Sequence, residues 1–282
     1  MGKQTQVERA RRFLDLHSVG KILVLPNAWD VASARIFEEA GFAALGTTSA
    51  GIANSLGYSD GQKISRSEML GVVHRIAEAV HIPVSADMEA GYGSTPAEVA
   101  ETAREVISAG AVGMNLEDGI VGSRDSIADL NLQREMIRAV IEVSEQLQMP
   151  FVLNARTDIF LRAMDPAETR LARTIERLNA YRSAGAQSLF APGVTDKDTI
   201  ARLVRGISGP LNILATVGTS PVGELEQLGV RRVSLGSGPL RATLGLLKRM
   251  ARQLHEAGNF SLMTDGALPY AEANLIVQPK RN

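Results

Sequence analysis

The stretch "VISAGAVGMNLEDG" (residues 106–119) contains the pattern that decides the fold. An amphipathic helical segment ends at Gly110, a short apolar run over 111–116 follows at once, and two carboxylates come directly after the run. A glycine readily adopts the left-handed conformation that closes a helix, so this is the expected form of a helix-to-strand junction. The same junction recurs at Gly41, Gly185 and Gly229.

Around these junctions, short apolar runs alternate with amphipathic helical stretches along the whole chain. Units in which a strand precedes a helix favour parallel strands covered by helices, and eight strands close a (β/α)₈ barrel. An open doubly wound sheet is the alternative, but no GxGxxG sequence follows the first strand. The sequence therefore predicts an α/β fold of the (β/α)₈ TIM-barrel type. The predicted strands cover 22–26, 43–47, 83–87, 111–116, 151–155, 187–191, 211–214 and 231–235, and the predicted helices cover 30–40, 66–80, 96–109, 131–147, 166–184, 196–206, 221–228 and 239–257.

The chain of 282 residues is 45% hydrophobic and has no internal linker, which predicts one barrel domain over 1–282. A helical tail is expected from about residue 258. Its apolar residues Leu275, Ile276 and Val277 would form an exposed patch on a monomer. We therefore expect the tail to pack on a neighbouring subunit of a homo-oligomer.

Composition and charge argue against several classes of function. The net charge is -1 and Lys and Arg are scattered, which argues against binding to nucleic acid or to an anionic membrane. No apolar run approaches the length of a membrane span, and the polar N-terminus has no signal-peptide core. The absence of cysteine excludes disulfides, thiolate metal sites and a cysteine nucleophile. We expect a cytoplasmic globular protein.

Polar side chains follow three neighbouring predicted strands at the point where each strand ends. Alternate residues of a strand share a face, and the carboxyl ends of parallel strands meet at one rim of a barrel. We therefore expect the three sets to face one another, with Asp60 of the long loop 49–65 reaching over the same mouth. The three sets are Ser85, Asp87 and Glu89; Asn115 and Glu117; and Asn154, Arg156 and Asp158.

This rim carries more carboxylates than cations, which leaves two interpretations. In the first, Arg156 forms ordinary ion pairs with Glu117 or Asp158 and the other side chains are solvated. In the second, a hard divalent cation neutralises carboxylates that would otherwise repel one another. Mg²⁺, with Mn²⁺ as the alternative, suits this rim because it binds through one or two carboxylates and takes further ligands from water and substrate. Zinc is disfavoured because the four histidines fall in predicted helices or at a helix end.

Six motifs in this order resemble the isocitrate lyase/phosphoenolpyruvate mutase superfamily, and the chain is similar to a phosphoenolpyruvate mutase-like member of it. The motifs are PNAWDVASA (26–34), GTTSAG (46–51), GYSDG (57–61), DMEAGYG (87–93), NLEDG (115–119) and NARTD (154–158). The resemblance implies a (β/α)₈ barrel that binds Mg²⁺ and a 2-oxo acid. It also implies a homotetramer that exchanges its last helices between subunits.

The resemblance also implies a role for each matching residue. Asp87 would be the metal ligand, Glu89 and Glu117 would hold metal-bound waters, and Asp60 would close on the substrate. Arg156 would face the substrate carboxylate or the developing oxyanion. The substrate carboxylate would be bound by backbone N–H groups and a hydroxyl of Thr48, Ser49 and Ala50.

The loop at 118–130 departs from the superfamily. It reads "DGIVGSRDSIADL" and lacks both the cysteine of the lyase branch and the Lys-Thr-Asn-Ser segment of the mutase branch. We expect this loop to close over the site, with Arg124 as the closing contact because an arginine fork suits a second carboxylate or a phosphonyl group. Asp60 or Glu117 could act as a general base only with a raised pKa.

Three functions fit the sequence. The first is a Mg²⁺-dependent lyase that acts on a 2-oxo acid, by decarboxylation or C–C cleavage through a metal-stabilised enolate. The second is phosphonopyruvate mutase or hydrolase chemistry at a P–C bond. The third is a non-catalytic 2-oxo acid-binding protein. These motifs do not identify the substrate.

Overall fold

A computed structural model describes residues 3–18, 20–123 and 125–278. Helices and strands alternate along them. The elements are α1 (Lys3–Ser18), β1 (Leu23–Leu25), β2 (Asn27–Ala28), α2 (Val31–Glu39), β3 (Leu45–Thr47), α3 (Ser49–Ser55), α4 (Arg66–Ala79), β4 (Val84–Asp87), α5 (Pro96–Ser108), β5 (Gly113–Glu117), α6 (Leu130–Gln146), β6 (Val152–Arg156), α7 (Ala167–Ser183), β7 (Ser188–Phe190), α8 (Lys197–Gly206), β8 (Leu211–Leu214), α9 (Val222–Gln227), β9 (Arg232–Ser234), α10 (Gly238–Ala257), α11 (Ser261–Thr264) and α12 (Tyr270–Val277).

The strands form a parallel ring, which confirms the predicted TIM-type barrel. The sheet order is β1-β9-β8-β7-β6-β5-β4-β3-β2, and every pairing is parallel. The described residues form nine strands where eight are predicted, because the run 22–26 and the residues after it form two short strands on either side of Pro26. Proline has no N–H to donate to a strand neighbour. β1 pairs with β9 and β2 pairs with β3, so this interrupted strand closes the ring.

The side chain of Asn27 strengthens the seam of the ring. Its Oδ1 accepts hydrogen bonds from the N–H groups of Leu235 and Gly236 at 2.8 and 2.9 Å. Its Nδ2 donates to the Thr47 carbonyl at 2.7 Å. One buried amide therefore links the end of β9 to β3, across the point where Pro26 interrupts the backbone ladder.

Each of the eight predicted helices is present, with ends that differ by no more than one residue. The four glycines predicted to end helices have positive φ values of 87° at Gly41, 92° at Gly110, 114° at Gly185 and 93° at Gly229. These junctions therefore have the left-handed conformation expected of helix-closing glycines.

Two helices lie outside the predicted set. α1 closes the N-terminal end of the barrel, where Phe13 is fully buried. The ring of Phe13 comes so close to Gly113 that a Cβ there would lie 2.9 Å from Phe13 Cε1. The other helix, α3, starts directly after β3 and occupies the first part of the loop 49–65.

The tail is helical beyond residue 258, as predicted. α10 ends at Gly258, which is left-handed with φ 59°, and α11 and α12 follow. α12 lies against α2 of the same chain, where Arg35 donates hydrogen bonds to the carbonyls of Ile276 and Gln278. Phe260 and Tyr270 nevertheless remain 57% and 87% exposed. The homo-oligomer stays a prediction.

Over the described ranges, none of the helices combines the length and the apolar character needed to cross a bilayer. The longest, α10, has charged side chains along its length.

Candidate active site

Two adjoining cavities lie at the carboxyl ends of the strands. The inner one, of about 190 Å³, stands over the barrel axis, and the outer one, of about 570 Å³, opens toward the loop between β5 and α6. Ser49, Asp60, Arg156 and Leu161 line both, so the two cavities form one continuous site. Of the sequence-predicted residues, Thr48, Ser49, Ala50, Asp60, Asp87 and Arg156 line the inner cavity, and Ser49, Asp60, Glu89, Glu117 and Arg156 line the outer one.

Asp87, the last residue of β4, is held by neutral donors on both carboxylate oxygens. Its Oδ2 accepts hydrogen bonds from the N–H and the hydroxyl of Ser49 at 3.0 and 2.8 Å. Its Oδ1 accepts one from Asn115 Nδ2 at 3.1 Å, and Asn115 is held in turn by Asn154 at 2.8 Å. Among the described residues Asp87 forms no ion pair, so its charge remains available to a cation.

The turn from β3 into α3 brings the three predicted substrate-binding residues to the inner cavity. Thr48 is the N-cap of α3, and its Oγ1 accepts a hydrogen bond from Gly51 N–H at 3.2 Å. Ser49, as the first helical residue, points its donors at Asp87 rather than into open space. Ala50 lines the cavity without a side chain that could obstruct it.

The sequence predicts that Glu89 faces the site as an alternate residue of the strand. β4 ends at Asp87, however, and a strained turn after the strand brings Glu89 to the site instead. Its backbone is left-handed, with φ 52°, a conformation rare for residues other than glycine. Oε2 accepts a hydrogen bond from Gln62 N–H at 2.9 Å, whereas the buried Oε1 has no partner. Burial and the nearby charges of Asp87 and Asp60 raise the pKa of Glu89 to about 8.

Asp60 lies at the mouth shared by both cavities. Burial and the charge of Asp87 raise its pKa, while a hydrogen bond from Gly61 N–H and the charge of Arg156 act in the opposite direction. A carboxyl group whose pKa is raised in this way can exchange a proton with a ligand nearer to neutral pH.

Arg156, at the end of β6, forms two of the ordinary ion pairs that the sequence left open. Its Nη1 lies 2.8 Å from Glu117 Oε2, and its Nε donates to Asp158 Oδ1 at 2.6 Å. Burial by itself would lower the pKa of Arg156, but the charges of Glu117, Asp158 and Asp87 raise it above its ordinary value. Burial raises the pKa of Glu117 well above its usual range, against the opposing charge of Arg156. Arg156 is therefore a fixed cation.

A buried cluster behind the rim was not predicted from sequence. Asp118 Oδ2 accepts hydrogen bonds from Tyr181 OH at 2.6 Å and from Arg177 Nε at 3.0 Å, both from α7. Its Oδ1 accepts one from Asp158 N–H at 2.9 Å. Neighbouring residues of a strand face opposite sides, and Asp118 accordingly points away from the barrel axis, whereas Glu117 points inward. The hydrogen bonds of Asp118 connect the ends of β5 and β6 to α7.

The loop between β5 and α6 (residues 118–129, the β5–α6 loop) folds back on itself over the outer cavity. Gly119 and Ile127 form an antiparallel bridge, and Ala128 N–H donates to the Asp118 carbonyl at 2.7 Å. Arg162 Nη1 donates to the carbonyls of Ser123 and Ser126 at 2.5 and 3.2 Å. The predicted closing residue, Arg124, lies outside the described residues.

The site has the chemistry of a hard-cation site with few protein ligands. Among the described residues that line the two cavities, carboxylates outnumber cationic side chains by six to three: Asp60, Asp87, Glu89, Glu117, Asp125 and Asp158 against Lys63, Arg156 and Arg162. Glu89 Oε1 is buried without a partner, which a cation or its water would correct. Within the described part of the chain, no three His, Cys, Asp or Glu side chains converge as a ready-made metal group. One or two direct carboxylates completed by water therefore fit better than an all-protein cage.

Sequence comparison places the chain among known proteins. A sequence model described as phosphoenolpyruvate phosphomutase matches residues 13–255. Protein Rv1998c of Mycobacterium tuberculosis H37Rv is 35% identical over 260 residues, which cover 92% of this chain and 93% of that protein. The 2-methylisocitrate lyase of Escherichia coli K12 is 28% identical over 247 residues, covering 81% of each chain.

Solved structures share the whole fold. A Burkholderia cenocepacia J2315 protein classed only as a lyase/mutase superposes with a TM-score of 0.91 at 39% identity, covering 98% of each chain. Oxaloacetate acetylhydrolase in complex with oxalate superposes with a TM-score of 0.83 at 26% identity, covering 95% of this chain and 93% of that one. The chain belongs to the phosphoenolpyruvate phosphomutase family, within the superfamily of lyases and mutases that includes isocitrate lyase.

Proposed function

We propose that this protein is a carbon–carbon lyase, dependent on Mg²⁺ or Mn²⁺, that acts on a 2-oxo acid or on the 2-hydroxy acid that yields one. One observation carries the proposal. Asp87 is fixed by Ser49 and Asn115 at the base of the inner cavity and forms no ion pair among the described residues, while Arg156 stands beside it as a permanent cation. A small acid bound in this cavity could thus contact both a metal cation at Asp87 and the guanidinium of Arg156.

In this proposal each residue of the site has a separate role. Asp87 would anchor the divalent cation, and Glu89 and Glu117 would bind its waters through their carboxylates. When bound, the cation would supply Lewis-acid stabilisation of negative charge on the 2-oxo group. Arg156 would neutralise the substrate carboxylate, held in place by Glu117 and Asp158 so that it needs little reorganisation.

Bond cleavage beside the 2-oxo group then needs little else from the protein. Loss of CO₂ from a 3-carboxylate leaves the bonding electrons on the 2-oxo oxygen, and no base is required. C–C cleavage of a 2-hydroxy acid requires a base for the hydroxyl proton, and the chain has no cysteine to provide it. Glu89 and Asp60, whose pKa values are raised, are our candidates for that base.

P–C bond chemistry on a phosphonate such as phosphonopyruvate is the second candidate. The match to the phosphomutase family favours it. Lys63 also lines the outer cavity and forms no ion pair with any described residue, so it could bind a phosphonyl group. A 2-oxo acid-binding protein without activity is the third. We rank the lyase first because 2-methylisocitrate lyases recur among the relatives.

We also propose a homotetramer that exchanges its C-terminal helices between subunits. The support is the exposure of apolar side chains along the end of the chain, including Phe260, Tyr270 and Leu275. Such a row on a monomer is an association surface.

The test is a substrate screen with a metal control. Oxaloacetate, 2-methylisocitrate, 2,3-dimethylmalate and phosphonopyruvate are each incubated with the protein in Mg²⁺, in Mn²⁺ and in EDTA, and products are followed by NMR. We expect cleavage of at least one carbon acid with either metal and none in EDTA. Conversion of phosphonopyruvate alone, either to phosphoenolpyruvate or to pyruvate and phosphate, would select the second function, and binding of these acids without turnover would select the third.

A further inference from the structure

Arg162 stands between the β5–α6 loop and the ion pairs of the site. It lies in the segment after β6, four residues beyond Asp158, and its Nε lies 3.0 Å from Asp158 Oδ2. The other oxygen of the same carboxylate accepts the hydrogen bond from Arg156. Asp158 thus carries one guanidinium on each oxygen, and its side chain is only 2% exposed.

The far end of Arg162 holds the loop. Its Nη1 donates to the main-chain carbonyls of Ser123 and Ser126, at the tip of the β5–α6 loop. A continuous series of contacts therefore runs from the loop tip through Arg162 and Asp158 to Arg156, and from Arg156 to Glu117. All of these side chains line the same cavity.

Gly119 provides the space that Arg162 occupies. A Cβ at Gly119 would collide with Arg162 Nη2 and would lie 2.9 Å from Asp158 Oδ2. The backbone of Gly119 does not have positive φ, so alanine could adopt it. The absence of a side chain at Gly119 is thus explained by the guanidinium that passes over it.

We propose that Arg162 is a positioning residue that couples closure of the β5–α6 loop to the orientation of Arg156, the cation that faces the substrate. The inference rests on the proposed function only for its effect on ligand binding. With the loop closed, Arg162 is held at three acceptors and fixes the plane of the Asp158 carboxylate. With the loop open, those carbonyls leave Arg162, and Asp158 holds Arg156 less firmly.

Two variants disturb this coupling in different ways. Arg162→Met keeps an unbranched apolar stem and removes every donor. Gly119→Ala keeps the guanidinium and forces it aside. Arg162→Lys is the conservative variant: its ammonium can still bind Asp158 but lacks the planar fork that also reaches the loop. Arg182→Ala is the matched control, since Arg182 donates to the Ala186 carbonyl at 2.6 Å at the opposite end of the barrel.

The first measurement is amide hydrogen exchange of peptides covering 118–130 in the free protein, which needs no ligand. We expect Arg162→Met and Gly119→Ala to raise exchange there by about tenfold or more, Arg162→Lys to raise it less, and Arg182→Ala to leave it unchanged. Unchanged exchange in both site variants would overturn the inference.

The second measurement is calorimetric binding of oxalate in the presence of Mg²⁺. We expect affinity to fall by about tenfold in Arg162→Met and Gly119→Ala and to recover in part in Arg162→Lys. Faster loop exchange with full oxalate affinity would show that the loop and Arg156 are not coupled, which also overturns the inference. If the parent protein does not bind oxalate, the proposed function is in doubt, and the exchange measurement alone decides for or against Arg162.

Discussion

Glu117 and Arg156 are register partners on adjacent strands, and their side chains meet at 2.8 Å at the carboxyl end of both. The last residue pair of the β5–β6 ladder is therefore also the ion pair on the wall of the outer cavity. Because a ladder fixes register to the residue, this geometry places the guanidinium with little freedom. The predictions below follow from this pair and from the carboxylates around it.

Replacing Asp87 should abolish metal-dependent activity and leave the fold intact. Mg²⁺ is held by few protein ligands, so loss of the anchor should lower turnover by about 100-fold or more and raise the metal concentration required. Titrations of activity with Mg²⁺ on Asp87→Ala, with circular dichroism as the folding check, measure this effect. Asp198→Ala, which removes an exposed carboxylate on α8, is the control. An unchanged metal requirement in Asp87→Ala would refute the assignment.

Glu89 should make the stability of the metal-free protein fall as the pH rises. Its pKa is about 8 in the folded chain against an ordinary 4.5, so the folded state holds a proton that the unfolded state has lost between those pH values. The free energy of unfolding should fall through this window by at most about 1.4 kcal/mol per pH unit.

Denaturant unfolding in EDTA at several pH values between 5 and 8 measures this slope, and Glu89→Gln should flatten it. The apparent affinity for Mg²⁺ should rise over the same window, by at most about tenfold per pH unit, because the metal competes with that proton. An identical slope in Glu89→Gln would assign the pH dependence to other groups.

Removing the cation of the rim ion pairs should destabilise the protein more than removing one anion. Arg156→Met leaves the buried Glu117 without its ion-pair partner and leaves Asp158 paired with Arg162 alone, and we expect a loss of about 3–5 kcal/mol in the free energy of unfolding. Glu117→Gln leaves Arg156 paired with Asp158 and should have the smaller effect.

Urea unfolding measures both variants. Arg104→Met is the control, because Arg104 forms an exposed pair with Glu101 at 3.9 Å and should change stability by about 1 kcal/mol or less. Equal effects of Arg156→Met and Arg104→Met would mean that the rim pairs are well solvated.

Deleting residues 258–282 should weaken the proposed homo-oligomer. The segment carries Phe260 and Tyr270, whose apolar surface is exposed in the single chain. Light scattering should give a tetramer for the intact chain and a smaller species for the truncated one. A monomeric intact chain would contradict the proposal. Phe260→Ser with Tyr270→Ser offers a milder version of the same test.

The barrel was predictable because its local signals agree with the overall fold. The glycine junctions and the alternation of strands and helices point to the same β-then-α unit. Pro26, which interrupts the first strand, could have been recognised as a break because proline lacks the donor that a strand needs. The sequence pattern does not predict α1, because most of its side chains are polar and only a few residues, such as Phe13, are buried.

The sequences Thr95-Pro96-Ala97-Glu98 and Asp165-Pro166-Ala167-Glu168 each predict an N-cap residue, a proline at the first helical position and a capping-box glutamate, and the structure confirms only the first. In the structure Pro166 itself precedes α7 and no side chain caps the helix. Asp165 has φ 61° and pairs with Arg173 at 2.7 Å instead. An arginine eight residues away thus competes successfully for the carboxylate.

Within the candidate site, strand ends were easier to predict than turns. Asp87, Glu117 and Arg156 end their strands, so alternation placed them correctly. Glu89 reaches the cavity through a left-handed turn that alternation does not describe. Arg162 was missed, although its position four residues after Asp158 is a signal that a helical turn could bring the two together.

The seam between β1 and β9 sets the order in which the barrel can close. Next to this seam, Asn27 of β2 accepts a hydrogen bond from the N–H of Leu235, and these two residues are 208 positions apart in the chain. As the chain leaves the ribosome, β2 can pair with β3 early, but β1 has no neighbour until β9 has been made. A growing chain therefore exposes two unpaired strand edges, and strands of other chains can pair with such edges. Chains truncated before Arg232 should keep both edges open, and aggregation during synthesis is the hazard that this closure removes.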